Sequence, residues 1–282
     1  MKKAFSLIEL SIVILIIGIL IAGVTQSSRL IKQFRLKTAQ NLTQSSPVSS
    51  IKDLVLWYET SMDGSIADSE KEEGALVTNW YDINPQSAFK NNATQGTVTN
   101  QPSFRENVFN GAIPAVRFDG VDNFMTFDGT IVVGTNYTIF VVEQRRDGAT
   151  DSYFISGTTQ TLNNNLILGY RDTDTITQAH FANDLDFDIS AYSTPIPRIH
   201  TFLFNTTSGK SYWMNGGVNP DRSEPTQTAA LISYGGASIA RYTTDYYNGD
   251  IAEIIIFTRA LKTEERQAVE TYLSKKYAIT IS

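Results

Sequence analysis

The chain has no cysteine in 282 residues. That excludes disulfide bonds, thiol nucleophiles and thiolate metal ligands, though it assigns no compartment. Histidine is almost as scarce: His180 and His200 are the only two, so a zinc site lacks its usual donors. No Walker-type phosphate-cradling glycine loop occurs, and no Gly-x-Ser-x-Gly elbow marks a serine hydrolase. Basic charge is depleted over most of the length. Residues 1–50 hold Lys2, Lys3, Arg29, Lys32, Arg35 and Lys37 against a single acid, Glu9. Taken from totals of 23 basic and 29 acidic groups, this leaves 17 and 28 beyond residue 50, a net charge of −11. Such a body repels phosphate backbones, so nucleic acid is not an expected partner. The 41% hydrophobic and 18% charged composition fits a folded protein, long enough for one large domain or two small ones. Aromatic residues make up 11%, which favours β-structure.

Phe5 to Val24 reads FSLIELSIVILIIGILIAGV, 20 residues with one charge. As a helix it spans roughly 30 Å, the thickness of a bilayer core. The run is longer than the apolar core of a secretory signal, and it is apolar on every side, unlike the core helix of a soluble protein. Glu9 is the exception. A carboxylate in a membrane helix costs about 2.5–3.5 kcal/mol at the centre and less near the interface, so a plain anchor gives no reason for it. Beyond Val24, Leu30, Ile31 and Phe34 recur at helical spacing, which predicts an amphipathic stalk to about Gln44. Ser45-Ser46-Pro47-Val48-Ser49-Ser50 reads as a linker over residues 45–52.

A short basic leader (Met1-Lys2-Lys3), the small residue Ala4, and then Phe5-Ser6-Leu7-Ile8-Glu9 before the apolar run resemble the N-terminal segment of type IV prepilins and type II secretion pseudopilins. The resemblance covers about the first 30 residues and is specific in order, spacing and composition. It implies that residues 1–4 are a leader removed between Ala4 and Phe5 by a prepilin peptidase, which then methylates Phe5. It implies that Glu9 pairs with the N-terminus of a neighbouring pilin or pseudopilin subunit, where a buried carboxylate meets a cation. It also implies a bacterial inner-membrane protein with a periplasmic head, assembled into a pilus or pseudopilus or displayed at the cell surface. Orientation is carried over from the family, because two basic residues precede the span and four follow it. Ala4 departs from the glycine usual before the cut. Gln26 stands where many major pilins carry proline, which tilts the reading toward a minor pilin or pseudopilin.

From Leu54 the pattern changes to short β-rich runs between turn clusters. They are Leu54–Tyr58, Pro114–Phe118, Tyr137–Val142, Asn165–Tyr170, His200–Phe204 and Ser211–Met214, the last followed by Asn215-Gly216 as a hairpin signal. Ile251–Phe257 reads as a strand buried on both faces, and Thr263 caps a helix to about Tyr277. These runs predict an antiparallel sandwich over residues 53–282 with a closing helix. Three pieces resemble the concanavalin A-like, laminin-G-like jelly-roll family. They are Leu54–Tyr58, Val116–Asp122, and Gly249–Glu253 leading through Thr263–Arg266 to Tyr277. The fold implied is a jelly roll, which serves binders, glycanases and inert modules alike.

Residues for chemistry are few. Glycanases of that fold use alternating carboxylates on a strand, and Asp184-Leu185-Asp186-Phe187-Asp188 has the alternation but no glutamate. An exposed strand face explains it equally well. Asp119, Asp122, Asp128, Asp184 and Asp186 are candidate Ca²⁺ ligands, without the spacing of an EF-hand. The alternative for Asp119-Gly120 and Asp128-Gly129 is turn chemistry. Tyr242, Tyr246 and Tyr247 lie in a polar stretch and are candidates for stacking on sugar rings, whereas Trp57, Trp80 and Trp213 read as core. The expectation is a filament subunit whose head binds a glycan or a host or surface receptor, without enzymatic activity. A structural tip subunit and a surface glycanase are the alternatives.

Overall fold

A computed structural model describes residues 7–282. Helix α1 runs from Leu7 to Gln44, 38 residues. Among the described residues it is the one helix long and apolar enough to cross a bilayer. Leu10, Ile14, Leu15, Ile19 and Val24 stand exposed along it. Its hydroxyl side chains turn inward on the backbone: Thr25 Oγ1 donates to Ile21 O at 3.0 Å and Ser27 Oγ to Gly23 O at 2.9 Å. These hydroxyls thus find backbone partners without water.

The C-terminal end of α1 docks on the head. Ala39 and Thr43 are buried, Gln40 Nε2 donates to Ser61 O at 2.9 Å, and Arg35 Nη1 donates to Asn110 O at 2.9 Å. Residues 45–52, expected as a flexible linker, form a packed corner instead. Pro47–Ser49 makes a 3₁₀ turn, and Val48 and Ile51 are buried in the cluster that joins Ala39 to Trp57, Val269 and Tyr272. Two apolar side chains buried at a turn outweigh the Ser/Pro composition that suggested a tether.

Two eight-stranded antiparallel sheets make up the head among the described residues. In the first sheet Asn248–Phe257 is central, paired along its length with Tyr137–Arg145. Its other edge pairs first with Ile113–Asp119, which carries Ser103–Phe109 beside it, and then with Leu54–Glu59. Outward from Tyr137–Arg145 come Arg198–Asn205, Gly209–Met214 and Arg222–Glu224. The second sheet runs from Leu185–Asp188 through Thr175–Ala179, Ile167–Tyr170 and Ser152–Ser156 to shorter strands at residues 238–239, 125–126, 93–94 and 79–80. The period of two sorts the central strand. Ile254 and Ile256 face the second sheet among Phe154, Phe202 and Leu168, while Ile255 and Phe257 face helix α2, Thr263–Tyr277. Both faces of the first sheet are therefore covered, which is why residues 251–257 are apolar except for Glu253.

Two local expectations change. Thr263 is the first helical residue of α2, not its cap. The cap is Lys262, whose backbone N–H donates to Glu265 Oε2 at 3.0 Å, and Arg259 clasps Glu265 at 2.7 and 2.6 Å. Asn215-Gly216, both at positive φ, do not close a two-residue hairpin. They open a longer loop to Arg222–Glu224, because Asn215 Oδ1 accepts the Ile199 N–H at 2.9 Å and its own N–H bonds Ile199 O at 2.7 Å. All three tryptophans are buried, as read from the sequence.

Candidate functional sites

Ala4 and Phe5 lie outside the described residues, and Glu9 sits near the start of the described part of α1. In the head, Arg241–Tyr242 and Asp245–Tyr246 pair as a two-stranded hairpin. Thr243 at φ 50° makes its turn. The hairpin lies against strand Ser152–Ser156, over the outer face of the second sheet. Tyr242 meets Tyr153 edge-on at 5.2 Å and forms a small apolar island with Ile167, Ala179 and Phe181. On the other strand Tyr246 packs at 6.4 Å against Phe124, whose ring carries the Arg241 guanidinium at 3.7 Å. Tyr242, Tyr246, Phe124 and Arg241 are each half-buried, so part of each is open to solvent. Partly exposed rings next to a guanidinium can stack on and hydrogen-bond a sugar or a peptide.

Tyr247 does not belong to that surface, and its reading as a stacking residue is corrected. Alternation turns it into the sandwich, where it is fully buried and its hydroxyl donates to Glu143 Oε2. Its ring lies on Gly249, at which an added Cβ would come within 2.2 Å of the hydroxyl. Glu143 is a hub. It also accepts from Tyr170 Oη at 2.7 Å and His200 Nε2 at 2.9 Å, while His200 Nδ1 takes the Tyr212 hydroxyl at 2.8 Å. Burial pushes the Glu143 carboxyl up, but the donors from His200, Tyr247 and Tyr170 outweigh it and hold the group below its usual range. Burial also holds His200 below its usual value, despite Glu143. A neutral imidazole donating to a carboxylate satisfies every atom of this network.

The aspartates are divided between two turns and one sheet edge. Asp119 Oδ1 accepts the backbone N–H groups of Val121, Asp122 and Asn123 at 2.9–3.2 Å, and Asp122 accepts from Asn123 Nδ2 at 3.3 Å. Asp128 Oδ1 likewise takes Thr130 N at 2.9 Å. This is the turn chemistry that their Asp-Gly sequences allow. Asp184 and Asp186 project from the outer edge of the second sheet and both bind Arg171, the latter at 2.9 Å. Among the described residues no group of three or more His, Asp or Glu could hold a metal ion. Arg171 is thus the shared cation of Asp184 and Asp186.

A second network escaped the sequence reading. Lys276 Nζ on α2 reaches Glu59 Oε2 and Glu253 Oε2, each at 2.8 Å, with all three side chains buried. Glu253 also accepts from Trp57 Nε1 at 2.7 Å, Tyr272 at 2.8 Å and Tyr277 at 2.7 Å. Glu59 accepts Ser61 N and Oγ at 2.8 and 2.6 Å. Burial pushes Glu59 up, but the Lys276 charge and these donors hold it below the usual range. Burial lowers Lys276, but Glu253 and Glu59 outweigh it and raise the ammonium. Tyr272 Oη lies 3.1 Å from Thr43 Oγ1, so the network also holds the root of α1.

Residues 1–25 match the prokaryotic N-terminal methylation motif. No curated protein matches the chain. Among solved structures it is similar to the Trypanosoma rangeli sialidase in complex with 2,3-difluorosialic acid, at 12% identity and a TM-score of 0.54, over 88% of this chain and 39% of that one. It is also similar to the binding domain of Paraclostridial mosquitocidal protein 1, at 13% identity and a TM-score of 0.53, over 79% and 52%. A third is domain 4 of AbnA, a GH43 extracellular arabinanase from Geobacillus stearothermophilus, in complex with arabinotriose, at 12% identity and a TM-score of 0.51, over 77% and 98%. The chain thus spans well under half of the sialidase, and at these identities the likeness is one of fold. Residues 1–25 thus match an N-terminal methylation motif, and the described residues form a long helix that carries an antiparallel β-sandwich.

Proposed function

We propose that the protein is a minor pilin or pseudopilin-like filament subunit whose head is a binding module for a carbohydrate or a surface receptor. The observation that carries the reading is the methylation motif at residues 1–25 running into an exposed apolar helix that ends in a β-sandwich head. The subunit starts in the bacterial inner membrane with its head in the periplasm. A prepilin peptidase cuts between Ala4 and Phe5, Phe5 is methylated, and Glu9 receives the N-terminus of a neighbouring subunit in the filament.

In the head, Tyr242 and Tyr246 supply ring faces and Arg241 a cation, on a hairpin raised above the sheet. Arg171, bound by Asp184 and Asp186, favours binding over hydrolysis. The experiment is a glycan and receptor array probed with the full chain in detergent, with and without Ca²⁺. Retention that falls when Tyr246 is replaced by alanine supports the binding head, and Ca²⁺ dependence would bring Asp119 and Asp122 back as ligands. Turnover of polysaccharide that stops with Asp186→Asn would favour the glycanase. No ligand and no turnover would leave a structural tip subunit.

A further inference from the structure

The stalk does not lie flush against the head along its whole docked length. Between them is a cleft of about 390 Å³. Its stalk wall is one helical face, Arg29, Lys32, Gln33, Leu36 and Gln40, and its head wall includes Phe104, Ala112 and Pro114, with Asp63 and Glu106 at polar positions. At the head end of the cleft Gln40 Nε2 bonds Ser61 O, and Thr43 is buried about a turn further on. Arg29 is the stalk residue at its other end. Neither Arg29 nor Lys32 makes an ion pair or hydrogen bond among the described residues, so both cations are free for a ligand.

Position along the helix says where this end lies. The apolar run finishes at Val24. At a rise of 1.5 Å per residue, Arg29 is about 7.5 Å and Lys32 about 12 Å further on, across and just above the headgroup layer. Side chains on a helix lean toward its N-terminus, so both cations tilt back toward the bilayer. A body of net charge −11 held close to an anionic surface needs such a local cation site to approach it.

We propose that this cleft binds the headgroup of an anionic, polyhydroxylated phospholipid while the subunit waits in the membrane. The phosphodiester pairs with Arg29 and Lys32. The glycerol hydroxyls reach Gln33 and the carboxylates Asp63 and Glu106, which accept hydrogen bonds from a neutral polyol and repel a bare phosphate. The bound lipid fixes the head against the membrane surface, and extraction of the subunit into a filament releases it. This rests on insertion of α1 in the membrane, not on what the head binds.

The test is native mass spectrometry of the full chain released from nanodiscs of phosphatidylcholine mixed with phosphatidylglycerol. One phosphatidylglycerol should be retained in preference. The double variant R29Q/K32Q should hold it roughly thirty-fold more weakly, the equivalent of ~1 kcal/mol per basic group near a membrane. Leu36→Trp, which fills the cleft and keeps both charges, should lose it as well. Equal retention of the two lipids, or retention unchanged in either variant, would overturn the proposal. Insertion of α1, checked separately by carbonate extraction, should be the same in all variants, so failure of the lipid site is distinct from failure of the membrane reading.

Discussion

Replacing Lys276 by methionine tests what joins stalk, sheet and closing helix. Methionine preserves most of the packing of the lysine stem but removes the one cation shared by Glu59 and Glu253, each 2.8 Å away. Both carboxylates are then left buried with hydrogen-bond donors but no counter-charge. Removing one partner of a buried ionic pair costs about 3–5 kcal/mol. For a domain of this size each kcal/mol shifts the melting temperature by about 2–4 °C, so a fall of roughly 6–20 °C is expected. The pH dependence separates charge from packing. In the wild type, Glu59 lies below its unfolded value, so its contribution is full above about pH 4.5 and is lost as pH falls through its lowered folded value. Lys276 lies above its unfolded value, so its contribution is full below about pH 10.5 and is lost as pH rises through the raised one. In the variant the Lys276 charge no longer opposes the desolvation of Glu59, so its carboxyl rises and acidification relieves the buried charge. The gap in melting temperature between wild type and K276M should therefore shrink from pH 8 to pH 5. Near-ultraviolet circular dichroism of the full chain in detergent gives both quantities. A fall of less than about 2 °C, or one that does not change with pH, would refute the argument that this ion network carries the junction.

Tyr247→Phe should lower stability by about 1.5–3 kcal/mol, the value of a hydrogen bond to a charged group, and leave ligand retention on arrays unchanged. Tyr246→Ala should do the reverse, weakening retention with the melting temperature held within a degree or two. Gly249→Ala forces its methyl into the Tyr247 hydroxyl and should cost about 1–3 kcal/mol in denaturant unfolding. Glu265→Gln keeps an oxygen for the Lys262 N–H but loses the two-pronged ion pair with Arg259, at a cost of up to about 1 kcal/mol at neutral pH. The Arg259 bonds and burial, with the former winning, hold Glu265 at about 2, so its contribution is full above pH 4.5 and fades toward pH 2. Wild type and E265Q should therefore converge in acid.

What was legible in the sequence follows from how local each signal is. The span from Phe5 to Val24 and the strand Ile251–Phe257 announce themselves because each is a run of apolar residues broken by a single acid, Glu9 in one and Glu253 in the other. Asp119 and Asp128 are legible as turn formers from the glycine that follows each. Tyr247 is misread because its neighbours Thr243 to Asp245 are polar. Only the alternation that continues into Asn248–Phe257, together with Gly249 two residues on, marks it as inward. The corner at residues 45–52 misleads for a related reason: five of its residues are Ser or Pro, and the spacing of Val48 and Ile51 is the one sign that it packs. The Glu59–Lys276 pair spans 217 residues of sequence, so no local pattern brings the two together. Each looks like an ordinary surface charge until the sheet register places Glu59 beside Glu253.

The central claim, that the N-terminal segment is a processed filament-assembly signal, is tested most directly by mass spectrometry of the mature N-terminus in cells that carry a prepilin peptidase. The account predicts a chain that begins at Phe5, lacks residues 1–4 and carries an added methyl group on its terminal amine. A terminus beyond residue 22, or an intact Met1 when the peptidase is active, would contradict it.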